Sequence, residues 1–248
     1  MAASLNSEFA IAGCVFVVAG AVKGMLGMGL PTVAMGLLGL AMPVSQAAAL
    51  LTLPSLVTNV WQALRGPHGA AMLRRLWTLQ AGSVAGILAG AAWLPTDSNG
   101  WASLLLGACL LAYGAAGLAG WRLPRPAPGR ERRASAAVGL ATGLLTAATG
   151  VFVLPAVPYL QALDLGKDQM GQALGIGFTV STLALAGVLL HGGHLAPASA
   201  WQSLQMLLPA LAGMWLGQRV RDRLSQAAFR RALFAGLALL GGWLLLRP

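Results

Sequence analysis

The chain has 248 residues, of which 57% are hydrophobic and 9% charged, and its mean hydropathy is +0.74. About a quarter of the residues of a soluble domain are charged, so this chain lacks the polar surface of one and is read as a membrane protein. The net charge of +10 does not make it a nucleic-acid binder. Its basic residues come in short bursts between apolar runs rather than on one solvated face, and such bursts read as cytoplasmic loops.

In chain order, apolar segments fall at about 9–26, 30–43, 46–64, 76–95, 102–121, 134–149, 152–163, 171–190, 200–218 and 229–246. Runs near 20 residues match a hydrocarbon core of ~30 Å. The first run is read as a retained helix: no Lys or Arg precedes the IAGC stretch at Ile11 to Cys14, and the run continues past it. Segments 30–43 and 152–163 are short. Each follows a glycine-containing interruption, KGMLGMGLP from Lys23 to Pro31 and TAATGVFVLP from Thr146 to Pro155. Broken or re-entrant helices are therefore expected after Gly24 and Gly150. Two short spans and one hairpin are both compatible with either pair, and they give the same parity.

The halves repeat. An offset of 123 aligns Gly20 with Gly143 and Gly27 with Gly150; an offset of 124 then aligns Pro31 with Pro155, Thr58 with Thr182 and Trp77 with Trp201. The stretch PRPAPGRERR, residues 124–133, separates a first repeat at 1–123 from a second at 134–248, and its prolines argue against a span. Loop 65–75 carries Arg65, Arg74 and Arg75, whereas its counterpart HGGHLAP, from His191 to Pro197, has no Lys or Arg. The next loops swap: Asp97 is the only charge at 96–100, while Arg219, Arg221, Arg223, Arg230 and Arg231 crowd 219–231. Five segments per half place every basic residue but Arg247 on one face, as the positive-inside rule favours. The expected fold is an all-α, polytopic transmembrane bundle of two inverted repeats, with basic loops cytoplasmic and both termini outside. Gly82, Gly86, Gly90, Gly213 and Gly217 recur at the spacing that lets helices pack closely.

All six acidic residues, Glu8, Asp97, Glu131, Asp164, Asp168 and Asp222, lie at termini, in loops or at segment ends. Proton and cation carriers keep carboxylates within the span, so a cationic cargo is disfavoured. Lys23 sits beside the first interruption, where an ionisable group is a functional candidate. Gly27 and Gly29 permit unusual backbone conformations, and Pro31 suits the first turn of a helix. A helix starting there presents free N–H groups and a positive dipole end to an anion; Gly150 marks the weaker counterpart. Thr32, Thr146 and Thr149 carry hydroxyls beside the two interruptions. Ser55, Thr58, Asn59 and Gln62 fall near one helical face, and Gln172, Thr179 and Thr182 occupy the matching stretch. These residues form the candidate substrate site. The alternative for each is hydrogen bonding between helices, worth about 0.6 kcal/mol. His191 and His194 lack the further ligands zinc takes and read as a turn around Gly192 and Gly193. No nucleophile and base pair up, so an enzyme has no anchor, and no cofactor is implied.

The pattern GAVKGMLGMGLPT (Gly20 to Thr32), its echo at Gly143 to Pro155 and the stretch QAAALLTLPSLVTNVWQ (Gln46 to Gln62) resemble the sulfite exporter TauE/SafE family. The likeness spans nearly the whole chain, although the echo lacks the glycine cluster. It implies a bacterial inner-membrane permease for sulfite, sulfoacetate or related organosulfur and carboxylate anions. Residues and resemblance together point to a membrane permease that moves such an anion by alternating access. Its expected partners are a small anionic substrate and the lipid bilayer, with a homo-oligomer left open. The competing reading is a non-transporting membrane scaffold or assembly subunit.

Overall fold

The computed structural model describes residues 2–93, 100–121, 123–127, 129–221, 223 and 225–246; of residues 2–8 only the backbone is described. Among them are ten α-helices and no strand: α1 Ala2–Leu26, α2 Leu30–Leu38, α3 Val44–Leu64, α4 Gly69–Trp93, α5 Trp101–Leu118, α6 Glu131–Thr149, α7 Ala156–Ala162, α8 Lys167–His191, α9 Pro197–Val220 and α10 Gln226–Leu246. Five of them (α1, α3, α5, α8 and α10) are long and apolar enough to cross a membrane. At 1.5 Å per residue, α2 and α7 reach only about 13 and 10 Å. Neither crosses a ~30 Å core, so each is a half-helix attached to the full-length helix before it.

Backbone chemistry sets the two interruptions. Helix α1 runs two residues past Gly24, and the Gly27 N–H closes its last turn on the Lys23 carbonyl. Gly27 at φ 74° and Gly29 at φ 103° then turn the chain through left-handed conformations that side chains resist. Pro31 occupies the first turn of α2. In the second half Gly150, at φ 67°, ends α6, and a non-helical stretch from Val151 leads to α7. Several element starts differ from the sequence expectation, among them α1 at Ala2 rather than 9, α7 at Ala156 rather than 152 and α8 at Lys167 rather than 171. Helix α4 begins at Gly69 and bends at Leu76. Helix α6 begins at Glu131, inside the linker, where an acidic residue suits the positive end of the helix dipole.

The main partnerships are α1 with α9, α4 with α6, α5 with α10 and α3 with α8. Exchanging the halves helix for helix maps this set onto itself. Glycine contacts hold the first two pairs together. A methyl group at Gly24 would lie 2.2 Å from the Met214 carbonyl oxygen, and one at Gly86 would lie 2.2 Å from that of Leu140. Gly82, Gly213 and Gly217 pack in the same way against backbone, whereas Gly90 lines a cavity.

One proline is repaired from a distance. Pro54 lies inside α3 and has no N–H for the Leu50 carbonyl. Ser203 of α9 supplies the donor, its Oγ–H bonding Leu50 O at 2.8 Å while its Oγ accepts from Leu53 N at 3.0 Å. At one end of the bundle Arg75 binds Glu131 bidentately, at 2.7 and 3.0 Å. Arg125 in the linker pairs with Asp164 before α8, at 3.4 Å. The linker and the loops flanking α3, α4 and α8 thus share that end.

Candidate functional site

Lys23 lies on the last turn of α1 and is 4% exposed. Its Nζ donates to Asn59 Oδ1 of α3, and among the described residues no carboxylate lies within ion-pair distance. Asn59 Nδ2 donates to Ser55 Oγ at 3.0 Å. Ser55 Oγ stands 3.5 Å from Thr182 Oγ1 of α8, whose hydroxyl donates to the Phe178 carbonyl at 2.6 Å. That last bond fixes the order: Thr182 accepts from Ser55, and every donor in the chain points away from Lys23. An ammonium has three donors. Asn59 accounts for one, which leaves two for another acceptor.

A cavity of about 670 Å³ opens at Lys23, lined also by Gly27, Thr58, Gln62, Arg65, Lys167, Asp168, Gln218 and Arg221. Four cationic side chains against one carboxylate make it strongly electropositive. Gln62 stitches its wall: Nε2 donates to the Gly27 carbonyl at 2.8 Å and to the Gly171 carbonyl at 3.0 Å. Its Oε1 has no partner.

The remaining candidates divide by what they bond. Thr58 donates to the Pro54 and Ser55 carbonyls of its own helix, at 2.7 and 3.2 Å. Thr146 donates to Thr142 O and Val151 O. Thr149 donates to Leu145 O and accepts from Val151 N, and with Thr146 it ties down the chain around Gly150. Thr179, half-buried, donates to Gly175 O. Gln172 holds the loop after α3, accepting from His68 N and donating to Ala63 O and Gly66 O. Thr32 is fully buried, and its hydroxyl has no partner. The structure therefore gathers Lys23, Gly27, Thr58 and Gln62 around one cavity and links it through Asn59 to Ser55 and Thr182. Gly150, Thr146, Thr149 and Gln172 lie apart from it.

A second cavity, of about 530 Å³, is lined by Ser45, Ala48, Trp101, Gly150, His191 and His194 among others. It sits at the N-terminal end of α3 and the C-terminal end of α8, while the Lys23 cavity sits at the opposite ends of both. The two are counterparts. The 123-residue offset carries Gly24 and Gly27 onto Ala147 and Gly150; the 124-residue offset carries Trp61 onto Leu185, Arg65 onto Leu189 and Met214 onto Gly90. Between the cavities stand Ser55 and Thr182. Arg65, Lys167 and Arg221 were visible in the sequence only as loop charges; their convergence follows from the packing of α3 against both α8 and α9.

A helical bundle with two interrupted helices, a cavity at either end of one central helix pair and a buried lysine in one of them defines a polytopic membrane protein. The profile of the family described as sulfite exporter TauE/SafE matches residues 12–244, and the chain belongs to that family. No curated protein and no solved structure matches the chain. The family is one of membrane transport proteins for sulfite and related anions, in line with the apolar spans.

Proposed function

We propose that the chain is a bacterial inner-membrane permease for a small organosulfur or carboxylate anion, working by alternating access between two inverted repeats at 1–123 and 134–248. Lys23 carries this reading: it is buried, has no carboxylate within ion-pair distance among the described residues, and lines an electropositive cavity. Burying a charge without a partner is expensive, and an anionic cargo supplies the partner. Gly27, Gly29 and Thr32 set the half-helix start whose N–H groups favour the same charge. Thr58, Asn59 and Gln62 line or brace the pocket, and Ser55 with Thr182 closes it toward the other cavity.

The exchange of helix pairs between the halves, and the presence of counterpart cavities at opposite ends, supports the inverted arrangement. The shared end of linker 124–133, Arg65, Lys167 and Arg221 suits the cytoplasmic face, which leaves both termini outside. With the cell interior negative, exporting one net negative charge gains ~2.3 kcal/mol per 100 mV, so export needs no coupling ion.

The test is a thermal-shift screen of purified protein against sulfite, thiosulfate, sulfoacetate, sulfolactate and simple carboxylates. A cargo present at 100 times its Kd stabilises the fold by about 2.7 kcal/mol, and Lys23→Met should remove that shift. A scaffold would show no shift with any of them.

A further inference from the structure

A third cavity lies beside the second interruption, bounded by α4, α6, the chain after Gly150, α7 and α8. Its volume is about 10 Å³, room for one water-sized guest. Gln80 and Ser83 of α4, Thr142 of α6 and Ser181 of α8 line it, and the other lining side chains are apolar. None of the four is more than 6% exposed. The Ser83 and Ser181 hydroxyls bond no described residue, and neither end of the Gln80 amide has a partner. Buried polar groups are nearly always paired, so such a cluster asks for a guest.

The cluster is drawn together from three helices. Gln80 and Ser83 share a face of α4. The Gln80 amide lies against α8 at Gly177, where an added methyl group would stand 3.7 Å from both of its polar atoms, and Ser181 is one turn further along that helix. The Thr142 hydroxyl spends its hydrogen on the Val138 carbonyl at 2.8 Å, so toward anything else it shows lone pairs alone. Phe152, from the non-helical stretch after Gly150, also lines the cavity, and among the described residues no donor bonds its carbonyl. The repeated frame does not call for these groups. The two offsets pair Gln80 with Leu204, Ser83 with Leu207, Thr142 with Ala19 and Ser181 with Val57, all apolar.

We propose that this cavity is a sodium-binding site, its ion held by the Ser83, Thr142 and Ser181 hydroxyl oxygens, the Gln80 amide oxygen and the Phe152 carbonyl. Hard cations take oxygen ligands, and carbonyls freed where a membrane helix unwinds coordinate sodium in transporters. No charged side chain lines the cavity among the described residues. Calcium and magnesium sites are built on carboxylates, whereas a monovalent ion can be held by neutral oxygens. Five oxygens around a one-atom space suit sodium better than the larger potassium ion, which takes more ligands. The proposal stands apart from the anion reading, because neither Lys23 nor its cargo takes part in it.

The test is equilibrium binding of radiolabelled sodium to the full-length protein in nanodiscs without any candidate cargo, at an ionic strength held constant with choline chloride. One saturable component should appear that unlabelled NaCl displaces and equimolar KCl does not. Ser83→Ala combined with Ser181→Ala should weaken it about tenfold or more, the order of losing a hydrogen-bond partner of a charged group. Gln80→Leu, the residue type found at the equivalent place in the other half, should weaken it comparably. Thr78→Val removes another partnerless hydroxyl of α4, one that does not line this cavity, and should leave binding unchanged. Absence of a saturable component in folded, monodisperse wild type would overturn the proposal and leave the cavity to an ordered water. Equal displacement by KCl, undiminished binding in the serine and glutamine variants, or an equal loss in Thr78→Val would also overturn it.

Discussion

The two interruptions occupy equivalent places in the two halves but are built for different work. At the first, Lys23 opens into a cavity and bonds a neutral amide on another helix. At the second, the equivalent residue is Thr146, whose hydroxyl bonds Thr142 O and Val151 O and serves only its own backbone. The helices around them differ in the same sense. Both Gly24 and the equivalent Ala147 line a cavity, but Gly24 also presses on the α9 backbone. The two ends thus differ in charge: Lys23, Arg65, Lys167 and Arg221 line one cavity, and among the described residues no Lys or Arg lines the other.

The sharpest way to break this comparison is Lys23→Met. Anion flux into proteoliposomes should fall by about 100-fold or more, the scale of losing a buried charge from a binding site, with an unchanged size-exclusion profile; wild-type flux would end the site assignment. Gly24→Ala comes next. A methyl group 2.2 Å from a carbonyl oxygen forces α1 and α9 apart, and overpacking of this kind costs typically 1–3 kcal/mol. Ala147→Gly should change unfolding stability by much less, so equal effects would show that the halves are packed alike.

Ser203→Ala should cost about 1–2 kcal/mol by leaving the Leu50 carbonyl unpaired. Pro54→Ala in the same chain should recover most of that loss, because the substituted alanine restores the missing backbone N–H. A double-mutant cycle in chemical unfolding reads the coupling. The smallest effect belongs to Glu131→Gln, at under ~1 kcal/mol, because both partners of the Arg75 pair are about a third exposed and screened. The hydrogen bond from Arg75 holds the Glu131 carboxyl below the usual carboxylate range. Its stabilisation is therefore complete above the unfolded-state value of about 4.3 and disappears as pH falls through the lowered folded value. A pH titration of stability comparing wild type with Glu131→Gln checks the sign.

The sequence made legible whatever is encoded locally. Apolar length located the segments, and glycine with proline located both interruptions. Lys23 stood out because charge is scarce within spans. Other features depend on which helices touch. Ser203 and Pro54 are far apart in the chain, and Arg65, Lys167 and Arg221 come from separate loops. Hydroxyls were the hardest to sort. Thr146, Thr149 and Thr179 bond carbonyls of their own turns, a habit of helical threonine that residue type cannot separate from ligand binding. Gln172 looked like part of a polar face and instead secures a loop.

The pair Ser55–Thr182 has an electrical consequence. Ala48 borders one cavity and Thr58 the other, and along α3 they are separated by about 15 Å, roughly half of a ~30 Å bilayer core. Water filling both cavities shortens the insulating layer to that septum, so the transmembrane voltage drops across about half its usual distance. A charged solute stepping past Ser55 then senses most of the field in one short move.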